Sequence, residues 1–121
     1  MSGVSRSLVV KATSGADAPE RCAQALTVAA TAVASGVTTS LWLTGEASWL
    51  AVAGHTVELA HSAPLPDLRD AVLLGGTVTL CTQCAARRDL GPDDVLPGVR
   101  LAGAAVFLDE VLQDGVQALV Y

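Results

Sequence analysis

The sequence predicts an α/β protein, a three-layer α/β/α sandwich on about five mainly parallel strands. Three observations carry this expectation. Short β-branched apolar runs alternate about five times with stretches of helical spacing, the signature of a parallel sheet covered by helices on both faces. Glycine or a Gly-containing pair stands at most of the boundaries between them. The 121 residues suffice to bury a core, and no repeat or linker divides them, so residues 1–121 read as one domain.

The elements follow in order. Ser7-Leu8-Val9-Val10-Lys11-Ala12 is a short β-branched run. The loop Ser14-Gly15-Ala16-Asp17-Ala18-Pro19 sets up a helix, with Pro19 suited to a first turn where its missing N–H is not needed. Glu20 to Ser35 reads as an alanine-rich helix, apolar nearly all round and ended by Gly36. Val37 to Leu43 is a second strand, closed by Thr44-Gly45, and Glu46 to Ala53 a short helix stopping at Gly54. A less regular stretch with His55 and His61 leads through Pro64-Leu65-Pro66 into a helix over Asp67 to Leu74. Thr77 to Leu80 is the third strand and Cys84 to Leu90 the next helix. Gly91-Pro92-Asp93-Asp94 is a turn opening a short helical piece before Pro97-Gly98. Val99 to Ala102 is a fourth strand, Ala104 to Gln113 an amphipathic helix, and Val116 to Tyr121 the final strand.

Composition narrows the function. Hydrophobic residues make up 51% of the chain and charged residues only 16%, against about 25% in ordinary domains. Mean hydropathy is +0.49. So few charges leave a small monomer short of polar surface, which points to a homo-oligomer; a GC-rich coding bias toward Ala, Val, Gly and Leu is the plainer explanation. Net charge is −5, Lys11 is the one lysine, and aromatics are 3%. Without a basic stripe or stacking platforms, direct nucleic-acid binding is not expected. The stretch from Cys22 to Gly45 holds no charge and is long enough to cross a bilayer. Ser35-Gly36 breaks it and Thr38-Thr39-Ser40 makes its second half polar and strand-like, so no membrane segment is expected.

Three cysteines, Cys22, Cys81 and Cys84, are present. The opening Met1-Ser2-Gly3-Val4-Ser5-Arg6 runs into a strand rather than the longer apolar core of a signal peptide. A reducing cytoplasm is therefore expected, with free thiols or a redox pair rather than a structural disulfide. The chemistry concentrates in Leu80-Cys81-Thr82-Gln83-Cys84-Ala85-Ala86-Arg87-Arg88. A strand delivers Cys81 to a helix start, and helix N-termini and nearby cations favour the reactive thiolate. Sites in open α/β sheets form at the carboxyl ends of strands. Cys81 falls there, as do Gly15 and Gly45 after other strands. Thr82, Arg87 and Arg88 complete the candidate binding set.

The segment from Leu80 to Leu90 resembles the strand–Cys–helix segment of the DsrE/TusD-like family of small sulfur-relay proteins, where a cysteine precedes an Arg-Arg or Arg-Gly pair by six residues. Leu8-Val9-Val10 with its Gly-containing loop and alanine-rich helix is similar to the family's opening. Val37 to Leu43 followed by Glu46-Ala47 is similar to its second strand and helix, and Leu101-Ala102-Gly103, Phe107-Leu108 and Val116 to Tyr121 to its end. The resemblance implies a DsrEFH-like fold, a cytoplasmic trimer or hexamer, and a cysteine at the position of Cys81 that takes sulfur as a persulfide from a donor protein and passes it to an acceptor. Cys84 departs from the pattern, since sulfur carriers of the TusD type often have another residue there. That leaves dithiol chemistry open beside simple carriage.

Each residue also has a plainer role. Cys81 could be a small buried residue, and Cys84 could resolve Cys81 or simply pack. Cys22, inside the alanine-rich helix, reads as core. Arg87 and Arg88 diverge by about 100° on a helix, so at most one readily faces the thiols while the other is a surface charge. Zinc would need Cys81, Cys84, His55 and His61 together; the irregular spacing argues against a metal, and the histidines read as exposed loop residues. Trp42 and Trp49 could line a pocket but read first as core, and Asp109 and Glu110 as a solvated helix face. No cofactor is expected, because no phosphate loop, catalytic Ser-His-Asp set or dinucleotide fingerprint is present. The leading expectation is sulfur handling through Cys81, with a sulfurtransferase-type activity. The alternatives are a non-catalytic ligand-binding or assembly module of the same fold, or a C-x-x-C dithiol oxidoreductase.

Overall fold

The computed structural model describes residues 6–121; the opening residues that bear on the signal-peptide reading, Met1 to Ser5, lie outside the described residues. The chain runs β1 (Ser7–Ala12), α1 (Pro19–Ala34), β2 (Thr38–Leu43), a 3-10 helix (Gly45–Ala51), α2 (Leu65–Gly75), β3 (Thr77–Cys81), α3 (Thr82–Arg87), β4 (Arg100–Ala102), α4 (Ala104–Val111) and β5 (Val116–Val120). The five strands form one sheet in the order β4-β3-β2-β1-β5, and every neighbouring pair is parallel. From β1 to β4 the chain steps steadily toward one edge. It then crosses back through α4 to lay β5 on the far side of β1.

That reversal divides the helices between two faces, because side chains alternate sides along each strand. Val10, Ala12, Leu41, Leu43, Val78 and Leu80 face one way and are almost fully buried against α1, α2 and the 3-10 helix. Cys22, Ala25, Leu26 and Ala29 supply the inner side of α1, so its small residues let it lie close to the sheet. The intervening residues Lys11, Ser40, Trp42, Thr79 and Arg100 face the other way. There α4 lies across them, with Phe107 on Trp42 and Glu110 bonded to Ser40, Trp42 and Arg100.

The second face is less completely covered. No residue of α4 is fully buried, Leu108 is 55% and Leu112 72% exposed, and Val120 on the edge strand is 64% exposed. The amphipathic pattern of α4 is real, but only part of its apolar surface meets the sheet.

Beyond shifts of one or two residues at element ends, three segments differ from the sequence reading. The segment after β2 is a 3-10 helix, with Ala47 N–H donating to Thr44 O (3.0 Å) and Val52 N–H to Trp49 O (3.2 Å); over two turns, composition does not distinguish this tighter winding from an α-helix. α3 begins at Thr82, directly after Cys81, rather than at Cys84. Residues 91–98 form turns and bends without a helix, held by Gly91 N–H donating to the Asp94 carboxylate (2.8 Å). Within the first layer, Arg69 is buried and donates from Nη1 to Leu50 O (3.0 Å), tying α2 to the 3-10 helix. No helix among the described residues is long and apolar enough to cross a membrane.

Candidate functional site

Strand register assembles the site. Lys11 pairs with Trp42 across β1 and β2, and Leu43 pairs with Leu80 across β2 and β3, which sets Thr44 beside Cys81. Lys11, Thr13, Trp42, Thr44 and Cys81 therefore sit together at the carboxyl ends of three adjacent strands, where open α/β sheets place their sites. They line a cavity of about 300 Å³ closed by Gly45, Gln83 and Cys84 on one side and by Ala104 and Phe107 of α4 on the other. A larger cavity of about 490 Å³ lies between α1 and the segment from Leu59 to Ala63, but no thiol lines it. The smaller one carries the chemistry.

Cys81 ends β3 with extended backbone angles (φ −63°, ψ 127°) and starts α3, so its side chain is aimed off the sheet edge into the cavity. Burial pushes its thiol up. The backbone N–H of Cys84, the Cys84 thiol, the backbone N–H of Gln83 and the Lys11 ammonium together outweigh that, and the net pKa lies below the ordinary 9.0. Hydrogen bonds and positive charge directed at a sulfur stabilise its thiolate. Cys22 behaves oppositely: buried in α1 with Asp17 nearby, its thiol rises to about 11, and it is a core residue as expected.

Cys84 stands beside Cys81, half-buried, and accepts a hydrogen bond from Gly45 N–H (3.4 Å). The loops are held for this by two close approaches. Gly45 has φ +53°, and a Cβ there would lie 2.4 Å from Thr13 O; a Cβ on Gly15 would lie 2.5 Å from Glu46 O. Gly45 therefore belongs to the cavity wall. Gly15 lets the loop after β1 pack on the 3-10 helix and is not among the cavity residues.

The arginines do not serve the thiols in the way the sequence suggested. Arg88 donates from Nε and Nη2 to Glu46 Oε2 (3.1 and 2.8 Å) and from Nη1 to Cys84 O (3.1 Å). It braces α3 against the 3-10 helix, and its charge is matched by Glu46. Arg87 is exposed on the outer side of α3. Thr82 is exposed beside Gly103 rather than in the cavity wall. Lys11 is the cation that acts on Cys81. The sequence noted it only as the lone lysine, yet a charge at an alternate position of an apolar strand was the available signal. The formal zinc set does not come together: His55 stacks on Trp49 (5.0 Å between ring centroids) and His61 lines the larger cavity, both away from the two cysteines.

Glu110 corrects a second expectation. It is no part of a solvated face: Oε1 accepts from Ser40 (2.7 Å) and Trp42 Nε1 (3.0 Å), and Oε2 accepts from Arg100. Burial raises its carboxyl, but the bonds from Arg100, Trp42 and Ser40 prevail and hold it below the usual carboxylate range. Arg100 also donates to Thr79 Oγ1 (2.9 Å) and lies 5.5 Å from the centroid of the Trp42 ring. Trp42 meets Phe107 edge-on at 5.2 Å, and Lys11 Nζ lies over the Phe107 ring at 5.0 Å. The network fixes the floor and the α4 wall of the cavity and holds the Lys11 ammonium over it.

The structure is similar to that of the YchN protein from E. coli, with a TM-score of 0.81 at 16% identity over 96% of this chain and 99% of that one. It is also similar to a conserved protein of unknown function, BT1422, from Bacteroides thetaiotaomicron, with a TM-score of 0.61 at 16% identity over 99% and 100% of the two chains. At such identities these likenesses establish the fold. A search of curated proteins finds no match. The sequence from residue 6 to residue 120 matches the model of the DsrE/DsrF-like family, and the chain belongs to that family.

Proposed function

We propose that the protein handles sulfur through Cys81, which takes a sulfane sulfur from a donor protein as a persulfide, with sulfurtransferase-type activity. The observation that carries the reading is the placement of Cys81 at the mouth of the cavity, with N–H donors, a second thiol and the Lys11 ammonium favouring its thiolate. The thiolate attacks the outer sulfur of a donor persulfide, forming Cys81–S–SH and returning the donor as a thiol. The outer sulfur then awaits a second thiol. Trp42, Phe107 and Ala104 offer apolar walls to a donor or acceptor tail.

Oligomerisation belongs to the same proposal. The exposed Leu108 of α4 and Leu112 just after it, with Leu119 and Val120 on β5, the edge strand among the described residues, leave an apolar surface and a strand edge that other copies would cover, as a trimer or hexamer. The cytoplasm is the compartment this thiol chemistry fits.

The test uses a cysteine desulfurase with cysteine as donor and intact-mass measurement of the product. Cys84→Ser should gain one sulfur atom, and Cys81→Ser should gain none. Equal gain in both, or gain in neither, rejects the reading. If Cys81 also reacts with a thiol reagent no faster than free cysteine at pH 7, the protein is a binding or assembly module instead.

A further inference from the structure

We propose that Cys84 is a resolving thiol that discharges a persulfide on Cys81 as hydrogen sulfide, so that the sulfur leaves reduced rather than being handed on. The inference rests on the persulfide reading above and deepens it. Simple carriage uses Cys84 only as a neighbour that favours the Cys81 thiolate, not as a reacting thiol.

The geometry carries it. Cys81 closes β3 and Cys84 is the third residue of α3. On adjoining turns of a helix such residues hold their Cβ atoms about 5–6 Å apart, and a disulfide needs about 3.5–4.5 Å. Cys81 precedes the helix with extended backbone angles, so a small side-chain adjustment bridges the gap. Cys81 and Cys84 are two of the residues that line one cavity of about 300 Å³, so the two thiols open onto the same space. Cys84 Sγ is held by Gly45 N–H at 3.4 Å. Cys84 is half-buried, and Arg88 is turned away from the thiols to Glu46. A sulfur added to Cys81 extends into the cavity that Cys84 also lines.

The step balances. Cys84 attacks the inner sulfur of Cys81–S–SH, the Cys81–Cys84 disulfide forms, and the bond to the outer sulfur breaks. The outer sulfur takes the electron pair of that bond and the proton from Cys84, leaving as hydrogen sulfide. Two electrons from the thiols have reduced one sulfane sulfur. A dithiol reductant then returns the pair to two thiols by ordinary exchange.

The experiment is a single turnover. Wild type, Cys84→Ser and Cys84→Ala are loaded with the desulfurase and cysteine, freed of donor by rapid desalting, and followed without reductant by intact mass and a sulfide-specific probe. Wild type should lose the added sulfur, release one equivalent of sulfide per protein and end two hydrogens lighter than the reduced chain. Both variants should keep the persulfide at least tenfold longer and release no sulfide in that time. If wild type keeps its persulfide as long as the variants do, the inference falls while the carrier reading stands. Failure of the variants to load at all removes both. Sulfur appearing on Cys84 when Cys81→Ser is treated in the same way would overturn the assignment of roles.

Discussion

The two faces of this sheet come from the same strands, residue by residue, and do different work. Toward α1, α2 and the 3-10 helix, alternate residues are aliphatic and fully covered: Val10, Leu41, Leu43, Val78 and Leu80. Toward α4 the intervening residues include Lys11, Ser40, Trp42, Thr79, Cys81 and Arg100, a mostly polar and aromatic row with the buried Val9 beside it and one helix above it. The first face stabilises by excluding water, at roughly 25 cal/mol per Å² of apolar surface. The second gives up part of that stabilisation to hold a cavity open at a sheet edge where a thiol, an ammonium and backbone donors converge. Alternation with a period of two makes this possible, since a strand can devote one side to the core without compromising the other.

The largest effect tests the division directly. Leu26→Ala, on the inner side of α1, should destabilise by about 2–5 kcal/mol, read as a lower denaturant midpoint with an unchanged slope. Leu112→Ala just after α4, 72% exposed, should alter the unfolding of an isolated chain by no more than about 0.5 kcal/mol. A large loss at Leu112 that depends on protein concentration would mean that the second face is buried between copies. A large loss independent of concentration would break the division.

Glu110→Gln comes next. It keeps the shape but removes the charge that Arg100 meets, and charge-assisted hydrogen bonds are worth about 1.5–3 kcal/mol. With the Arg100 side chain 39% exposed, solvent reduces this, and a loss of about 1 kcal/mol is expected. Because the folded carboxyl lies below its ordinary 4.5, its stabilisation is complete above that pH and disappears as the pH falls through the lower folded value. Wild type and Glu110→Gln should therefore differ in urea midpoint at pH 7 and converge on acidification below about 4.5. Parallel curves through that range would show that the carboxyl charge has no part in holding α4.

How much of this was legible in the sequence follows the same line between faces. The strands and the core side of α1 were readable because β-branched runs, alanine spacing and glycine stops are local signals. Cys81 was readable as a strand-end residue for the same reason. What pairs across the sheet was not. Glu110 looked solvated because its partners Ser40 and Trp42 lie some seventy residues earlier in the chain. Arg88 looked like a thiol's cation because Glu46 is 42 positions away. Lys11 joined the site only through the β1–β2 register. The reversal that puts β5 beside β1 likewise rests on which faces α4 leaves open, and short apolar strands do not announce their neighbours.

The smallest effect sharpens the comparison most, because it separates chemistry from stability at one position of the second face. Lys11 lies in the cavity wall with its ammonium over Phe107, and it favours the thiolate of Cys81 through charge alone. Lys11→Gln removes the charge and keeps much of the stem, so unfolding should hardly change. Fewer Cys81 thiols are then ionised at neutral pH, and alkylation in a Cys22→Ala, Cys84→Ser background should slow severalfold at pH 7. As the pH rises, the rates of wild-type and variant Lys11 proteins should converge, since both thiols become fully ionised. Lys11→Arg should restore most of the neutral-pH rate, and added salt should narrow the gap by screening. A rate lowered equally at every pH would instead mean that Lys11 shapes the cavity, and the electrostatic role of the second face would then rest on backbone donors alone.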